Sequence, residues 1–137
     1  MIINSKQSLS DAIIQIENDF EKYRWLQLKI SKGSRTLKQN AWINLAYEML
    51  SKQGDMTTQE YRRHCKYHFG LPILFANDRE TAKMWWKALK NLTYEERLLA
   101  MDFVEVTRNF SVEEGIQYIN EISNHFNDKR LPEKEGL

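Results

Sequence analysis

The 137-residue chain contains little of what several protein classes require: one cysteine, two prolines and five glycines. The single thiol, Cys65, excludes an internal disulfide framework and a zinc site built from several cysteines, and it fits a reducing compartment. The scattered glycines form no glycine-rich phosphate loop. No apolar run approaches the ~20 residues that span a bilayer, and the first residues lack the apolar stretch of a signal peptide. We therefore expect a cytoplasmic protein.

The composition is that of a folded domain. Hydrophobic residues make up 42% of the chain and charged residues 28%, close to the globular average and unlike a disordered tail. The length suits one domain with its own core. We predict a single domain over residues 1–126. Residues 127–137, with Pro132 and a Glu-Lys-Glu run, are typical of a mobile tail.

The net charge of +1 conceals a segregation along the chain. Residues 1–21 carry one base and four acids, residues 22–90 carry fourteen bases and five acids, and residues 91–137 carry five bases and ten acids. A basic middle between acidic ends is typical of a protein that binds a polyanion. The alternative is that these charges only solvate helix faces.

Periodicity and turn residues predict a helix-rich α+β fold. The residue pattern predicts a helix from Ser8 or Ser10 to about Tyr23, a strand at 25–30, and then about five helices. Segment 71–76 is ambiguous between a short strand and a buried loop, and Gly70-Leu71-Pro72 is predicted to break the chain before it. Helix ends are predicted near Gln53, Phe69, Leu92, Asn109 and Phe126, and the matching helix starts at Leu37, Thr57, Asp78, Thr93 and Ser111. Of these, Thr57, Thr93 and Ser111 each precede a glutamate by three residues, which is capping-box spacing.

The junction between the second predicted strand and the next helix gathers polar and basic side chains. Ser34 to Asn40 reads Ser-Arg-Thr-Leu-Lys-Gln-Asn, and an apolar helix pattern opens at Leu37. Backbone N–H groups at a helix N-terminus, beside an arginine and a lysine, suit a phosphate or a carboxylate. The junction is therefore a candidate anion site.

With the junction Arg35 to Asn40 placed between a strand and a helix, the chain resembles the phage NinB (Orf) family of recombination proteins. The resemblance implies an N-terminal strand-helix-strand order, with strands at 1–4 and 25–31, and a short hairpin near 71–77. The resemblance covers about the first fifty residues well and residues 92–118 loosely. One departure is that family members carry a tryptophan four residues after the asparagine, where this chain has Asn44 and places Trp42 two positions earlier.

The resemblance implies a non-catalytic protein of phage or prophage origin in a bacterial host. It implies a homodimer around a positively charged channel that binds single-stranded DNA. Its partners would be the host single-strand-binding protein and the recombinase that it helps to load onto DNA. No cofactor is implied.

Further cations fall on predicted helices. Arg79, Lys83, Lys87 and Lys90 recur at a spacing that places them on one helical face. A second cluster lies on the preceding helix, and together with the junction the candidate DNA-binding residues are Arg35, Lys38, Gln39, Asn40, Arg62, Arg63, Lys66, Arg79, Lys83, Lys87 and Lys90. The stacking candidates are Trp85 and Trp86, which point about 100° apart on a helix, so the sequence does not choose between them.

Catalysis and metal binding are less well supported. His64 and His68 have a spacing that can chelate a metal, but flanking cations oppose it and His125 is remote in sequence. Cys65 has no evident group to orient a base beside it. We therefore expect no enzyme and no metal site. The main alternative to DNA binding is a helical adaptor that binds a protein partner, and a nuclease using acidic residues at 95–105 is a weaker one.

Overall fold

The computed structural model describes residues 3–28 and 36–137. They belong to two compact units, Met1–Gly33 and Ser34–Leu137. The first unit contains α1 (Lys6–Tyr23), and the second contains α2 (Leu37–Gln53), α3 (Thr58–Cys65), a π-helical segment (Lys66–Gly70), α4 (Leu71–Ala76), α5 (Glu80–Leu89), α6 (Tyr94–Ala100), a 3-10 turn (Thr107–Asn109) and α7 (Val112–His125).

The described part of the chain is helical and contains no sheet, so the α+β prediction is wrong. Residues 3–4 and 25–28 are not strands, and the rest of the two predicted N-terminal strands lies outside the described residues. The predicted hairpin or strand at 71–77 is helix α4. A short apolar run does not distinguish a strand from a buried helix by period alone, and only a pairing partner makes a strand stable.

Four predicted helix starts, those of α2, α3, α6 and α7, are confirmed, whereas α1 begins at Lys6 with Ser5 as its cap and not at Ser8 or Ser10. α2 has the bounds expected from the sequence, with Gly54 as its C-cap. All three capping boxes read from the sequence form, as does one at Thr36 and Gln39. The prediction at Asp78 is wrong: this residue takes a left-handed conformation (φ 56°), and α5 follows it without a side-chain cap. The helix predicted from Thr93 to about Asn109 ends at Ala100.

The core of the second unit forms where α2, α3, α4 and α7 meet. At its centre the hydroxyls of Tyr47 and Tyr118 lie 2.6 Å apart and share a hydrogen bond, so neither buried oxygen lacks a partner. Gly70 allows the π segment to approach this core closely. A Cβ at this position would lie 2.7 Å from Val106 Cγ1, too close for a larger residue without rearrangement.

The predicted break at Gly70-Leu71-Pro72 does not occur, because the π segment accommodates it. The Leu71 N–H donates to the Lys66 carbonyl, five residues back, and the helix then continues through α4. Proline in a regular helix lacks a donor and presses on the carbonyl four residues earlier. The π turn at Lys66–Gly70 comes directly before α4, whose first turn contains Pro72, a position where a missing N–H is tolerated. Turns of this kind are frequent at functional sites.

The C-terminal residues, predicted as a mobile tail, lie against α2. Trp42 Nε1 donates to the Pro132 carbonyl (3.0 Å), and the Gln53 amide exchanges two hydrogen bonds with the Arg130 backbone (2.7 and 2.8 Å). Leu131 and Leu137 pack against the core. In the described ranges, none of the helices has both the length and the hydropathy to cross a bilayer.

Candidate nucleic-acid interface

The junction motif is divided between structural and exposed residues. Arg35 lies outside the described residues. Gln39 is fully buried: its Oε1 accepts from the Thr36 N–H (3.0 Å) and its Nε2 donates to the Val112 carbonyl (3.2 Å). Lys38 is exposed and Asn40 is half-buried. The glutamine therefore fastens the start of α2 to the start of α7 and is not available to a ligand.

The cluster on α3 and the π segment is largely committed to internal contacts. Arg63 makes a bidentate pair with Asp102 (2.9 and 2.6 Å), and this pair lowers the pKa of the Asp102 carboxyl. Lys66 is buried and donates to the Met101 carbonyl, and burial lowers the pKa of its ammonium group. Arg62 donates to Gln59 (3.0 Å).

The predicted stripe along α5 is only partly free. Arg79 precedes the helix; it donates to the Asn109 carbonyl in the 3-10 turn (2.7 Å) and lies 3.6 Å from the Glu114 carboxylate in α7. Lys83 pairs with Asp78 at 2.5 Å and with Glu80 at 3.5 Å.

Lys87 and Lys90 complete the stripe and are available to a ligand. Both side chains are exposed, and neither makes an ion pair with any described residue. A phosphate group of a ligand can therefore bind these two lysines without displacing a carboxylate.

An aromatic-lined pocket lies beside this end of α5. Its volume is about 510 Å³, and its lining comes from the π segment, α4 and α5: Tyr67, His68, Leu71, Pro72, Phe75 and Trp86. Trp86 meets Phe75 edge to face, with ring centroids 6.3 Å apart. Both Trp85 and Trp86 are half-buried and pack against the core, but Trp85 does not line the pocket. The structure thus separates the two stacking candidates, and Trp86 is the one at a cavity.

Arg97 contacts two of the side chains that line this pocket, Trp86 and Tyr67, and was missed from the sequence. Its guanidinium lies 4.9 Å from the Trp86 ring centroid and donates to the carbonyls of Leu89 (2.9 Å) and Lys90 (2.8 Å) and to the Tyr67 hydroxyl (3.2 Å). The spacing Tyr67, Leu71, Phe75 is a helical face that the sequence contains, but it was divided by the break assumed at Pro72.

The three histidines, of which His125 is remote in sequence, form a cluster. The His64 ring centroid is 4.4 Å from that of His68 and 5.9 Å from that of His125. Burial lowers the pKa of His64 to about 4, with both neighbouring histidines adding to the effect. His68 shares a 2.7 Å hydrogen bond with the Tyr94 hydroxyl. Within ranges 3–28 and 36–137, no three histidine, cysteine or acidic side chains are arranged to hold a metal ion.

Cys65 is fully buried between this cluster and the core. Burial raises the pKa of its thiol to about 12, so the nucleophilic thiolate is scarce at neutral pH.

Comparison of the chain with protein-family models, with curated proteins and with solved structures found no match. The resemblance carried by Arg35 to Asn40 therefore remains a prediction from the sequence.

Proposed function

We propose that this protein binds single-stranded DNA without catalysis and acts as a recombination mediator of the NinB kind. The observation that carries the proposal is the arrangement at the end of α5. There, two exposed lysines make no ion pair among the described residues: Lys87 in α5 and Lys90 at its C-cap, one and four residues after Trp86, which α5 supplies to an aromatic-lined pocket. Cations for phosphates beside rings for bases are the two components of single-strand recognition.

The strength of each ion pair within the protein determines which other cations can contribute to DNA binding. Lys83 and its partner Asp78 are 42% and 82% exposed, and solvent weakens such a surface pair, so a phosphate can replace the carboxylate. Arg63 and Asp102 are about one-quarter exposed and bidentate, and Lys66 is buried. These side chains stay with their protein partners, as does Arg79, which donates to the Asn109 carbonyl and pairs with Glu114. Among the described residues, the predicted contacts that remain are Lys38, Asn40, Arg62, Lys83, Lys87 and Lys90.

As a mediator of this kind, the protein would be a homodimer that works with the host single-strand-binding protein and a recombinase in the bacterial cytoplasm. Its lysines would bind phosphates electrostatically. These contacts would give little sequence preference, since phosphate contacts carry no base identity. It would need no cofactor.

The test is the salt dependence of oligothymidylate binding. On a log–log plot, each phosphate contact to a single strand contributes a slope of about −0.7. The Lys87→Gln/Lys90→Gln variant should therefore have a slope shallower by about 1.4, and adding Lys83→Gln should bring the change to about 2. A matched control removes two exposed lysines from the acidic ends, Lys6→Gln/Lys134→Gln, and should leave the slope unchanged. An unchanged slope in the α5 variants would refute the interface.

The second candidate is the protein–protein adaptor. It is favoured by α1, where Leu9, Ile13 and Phe20 share one face and are 47%, 48% and 49% exposed, an apolar face of the kind that marks an interaction surface. An adaptor would bind no oligonucleotide even at low salt, so the same titration separates the two functions.

A further inference from the structure

The pocket beside α5 has the dimensions and lining of a ligand site. At about 510 Å³ it falls in the usual range for small-molecule sites, roughly 300–1,000 Å³. One wall is the continuous face Tyr67, Leu71, Phe75, which exists because the π segment runs into α4 without a break. The opposite wall is Trp86, on α5.

The polar side chains that line the pocket are Tyr67 and His68, and none of its lining residues is acidic. Arg97 fixes two of the walls together, since it lies over Trp86 and donates to the Tyr67 hydroxyl. His68 presents an imidazole whose Nε2 is paired with the Tyr94 hydroxyl. The carboxylate of Glu121 lines a separate cavity that shares His68 and Pro72 with this one. The pocket thus offers flat apolar surfaces and a hydrogen-bonding edge, and the Arg97 guanidinium lies outside its lining, against Trp86.

We propose that this pocket receives one unstacked base of a single strand, which Trp86 contacts while Lys90 engages a flanking phosphate. This inference rests on the proposed function and adds to it the place where a base is held. Lys90 follows Trp86 by four residues, so ring and cation lie on one helical face and within a nucleotide's reach of each other. An apolar peptide side chain would use the rings but not the cations, and a base with its phosphate uses both.

Trp86→Leu and Trp85→Leu form the matched pair for the test, because the two tryptophans are adjacent and half-buried but only Trp86 lines the pocket. Stacking one base contributes about 1–3 kcal/mol, so Trp86→Leu should weaken oligothymidylate binding roughly 5- to 150-fold. The salt slope should be unchanged, since phosphate contacts remain. Trp85→Leu, compared where circular dichroism shows it folded, should retain near wild-type affinity.

A second measurement uses the wild-type protein and does not depend on a variant folding. An oligonucleotide of the same length with abasic sites keeps every phosphate and loses every base. It should bind with a salt slope similar to that of oligothymidylate but roughly 5- to 150-fold more weakly. It should also fail to quench tryptophan fluorescence, which oligothymidylate should quench.

The outcomes distinguish the two proposals. If oligothymidylate binds with the expected α5 slope but abasic DNA binds equally well, or Trp86→Leu is indistinguishable from wild type, the base pocket is wrong and the DNA-binding function stands. If the wild-type protein binds no oligonucleotide at low salt, both proposals fall.

Discussion

Gln39 is the residue for which the sequence and the structure assign the most different roles. As part of the Arg35 to Asn40 motif it was predicted to contact DNA. In the structure it is fully buried, and its amide joins the Thr36 N–H at the start of α2 to the Val112 carbonyl at the start of α7. We therefore expect Gln39→Ala to reduce stability and not to change oligonucleotide affinity directly.

The magnitude follows from what the alanine removes. Two hydrogen bonds at a net ~1 kcal/mol each account for about 2 kcal/mol. Lost packing of the side-chain methylene adds about 0.8 kcal/mol. The free energy of unfolding should fall by about 3 kcal/mol, which for a unit of this size is a decrease in Tm of roughly 12–24 °C.

Gln39→Glu tests separately the hydrogen bond that the side chain accepts from the Thr36 N–H and the one that it donates to the Val112 carbonyl. Glutamate already occupies the same capping position in α3, α6 and α7, so its carboxylate is compatible with the Thr36 N–H. Its other oxygen would face the Val112 carbonyl as a second acceptor unless it is protonated. The pKa of the new carboxyl should be raised, so stability should be close to wild type at low pH and should be lost as pH rises through that pKa.

Thermal unfolding followed by circular dichroism measures both variants. Lys38→Ala, in the same helical turn but exposed, is the control and should change stability by no more than about 0.5 kcal/mol. A Gln39→Ala protein that keeps the wild-type Tm but loses oligonucleotide affinity would refute this reasoning and return the glutamine to the interface.

Three further predictions concern the histidines, Lys66 and assembly. Burial holds the pKa of His64 near 4, below its ordinary 6.5, so the unfolded chain binds more protons than the folded chain between these two pH values. Tm should therefore fall as pH drops from 6.5 toward 4, and it should fall less in His64→Gln. An equal fall in both proteins would contradict this cause. Lys66→Met should leave the salt slope of DNA binding unchanged because the buried ammonium contacts the Met101 carbonyl, and a shallower slope would show that it reaches phosphate. Light scattering should give a homodimer near twice the 16.4 kDa chain mass, and a concentration-independent monomer would remove the channel implied by the resemblance.

The sequence alone determined where most helices begin, because capping is local. Thr57, Thr93 and Ser111 each bond a backbone N–H three residues away, so their neighbours in the chain are sufficient to predict them. The same holds for the α2 bounds and for the excess of cations between residues 22 and 90. None of these features depends on how distant segments pack.

Tertiary structure decided the class of the fold and the state of each cation. Whether Leu71 to Ala76 is a strand or a helix depends on the presence of a pairing strand, which the local pattern does not contain. Arg63 looked free until the fold placed Asp102, 39 residues away, beside it. Likewise the pocket needed Trp86 to meet Phe75 and Arg97 across three helices. Side-chain availability is a property of contacts between segments distant in sequence, and those contacts exist only once the chain has folded.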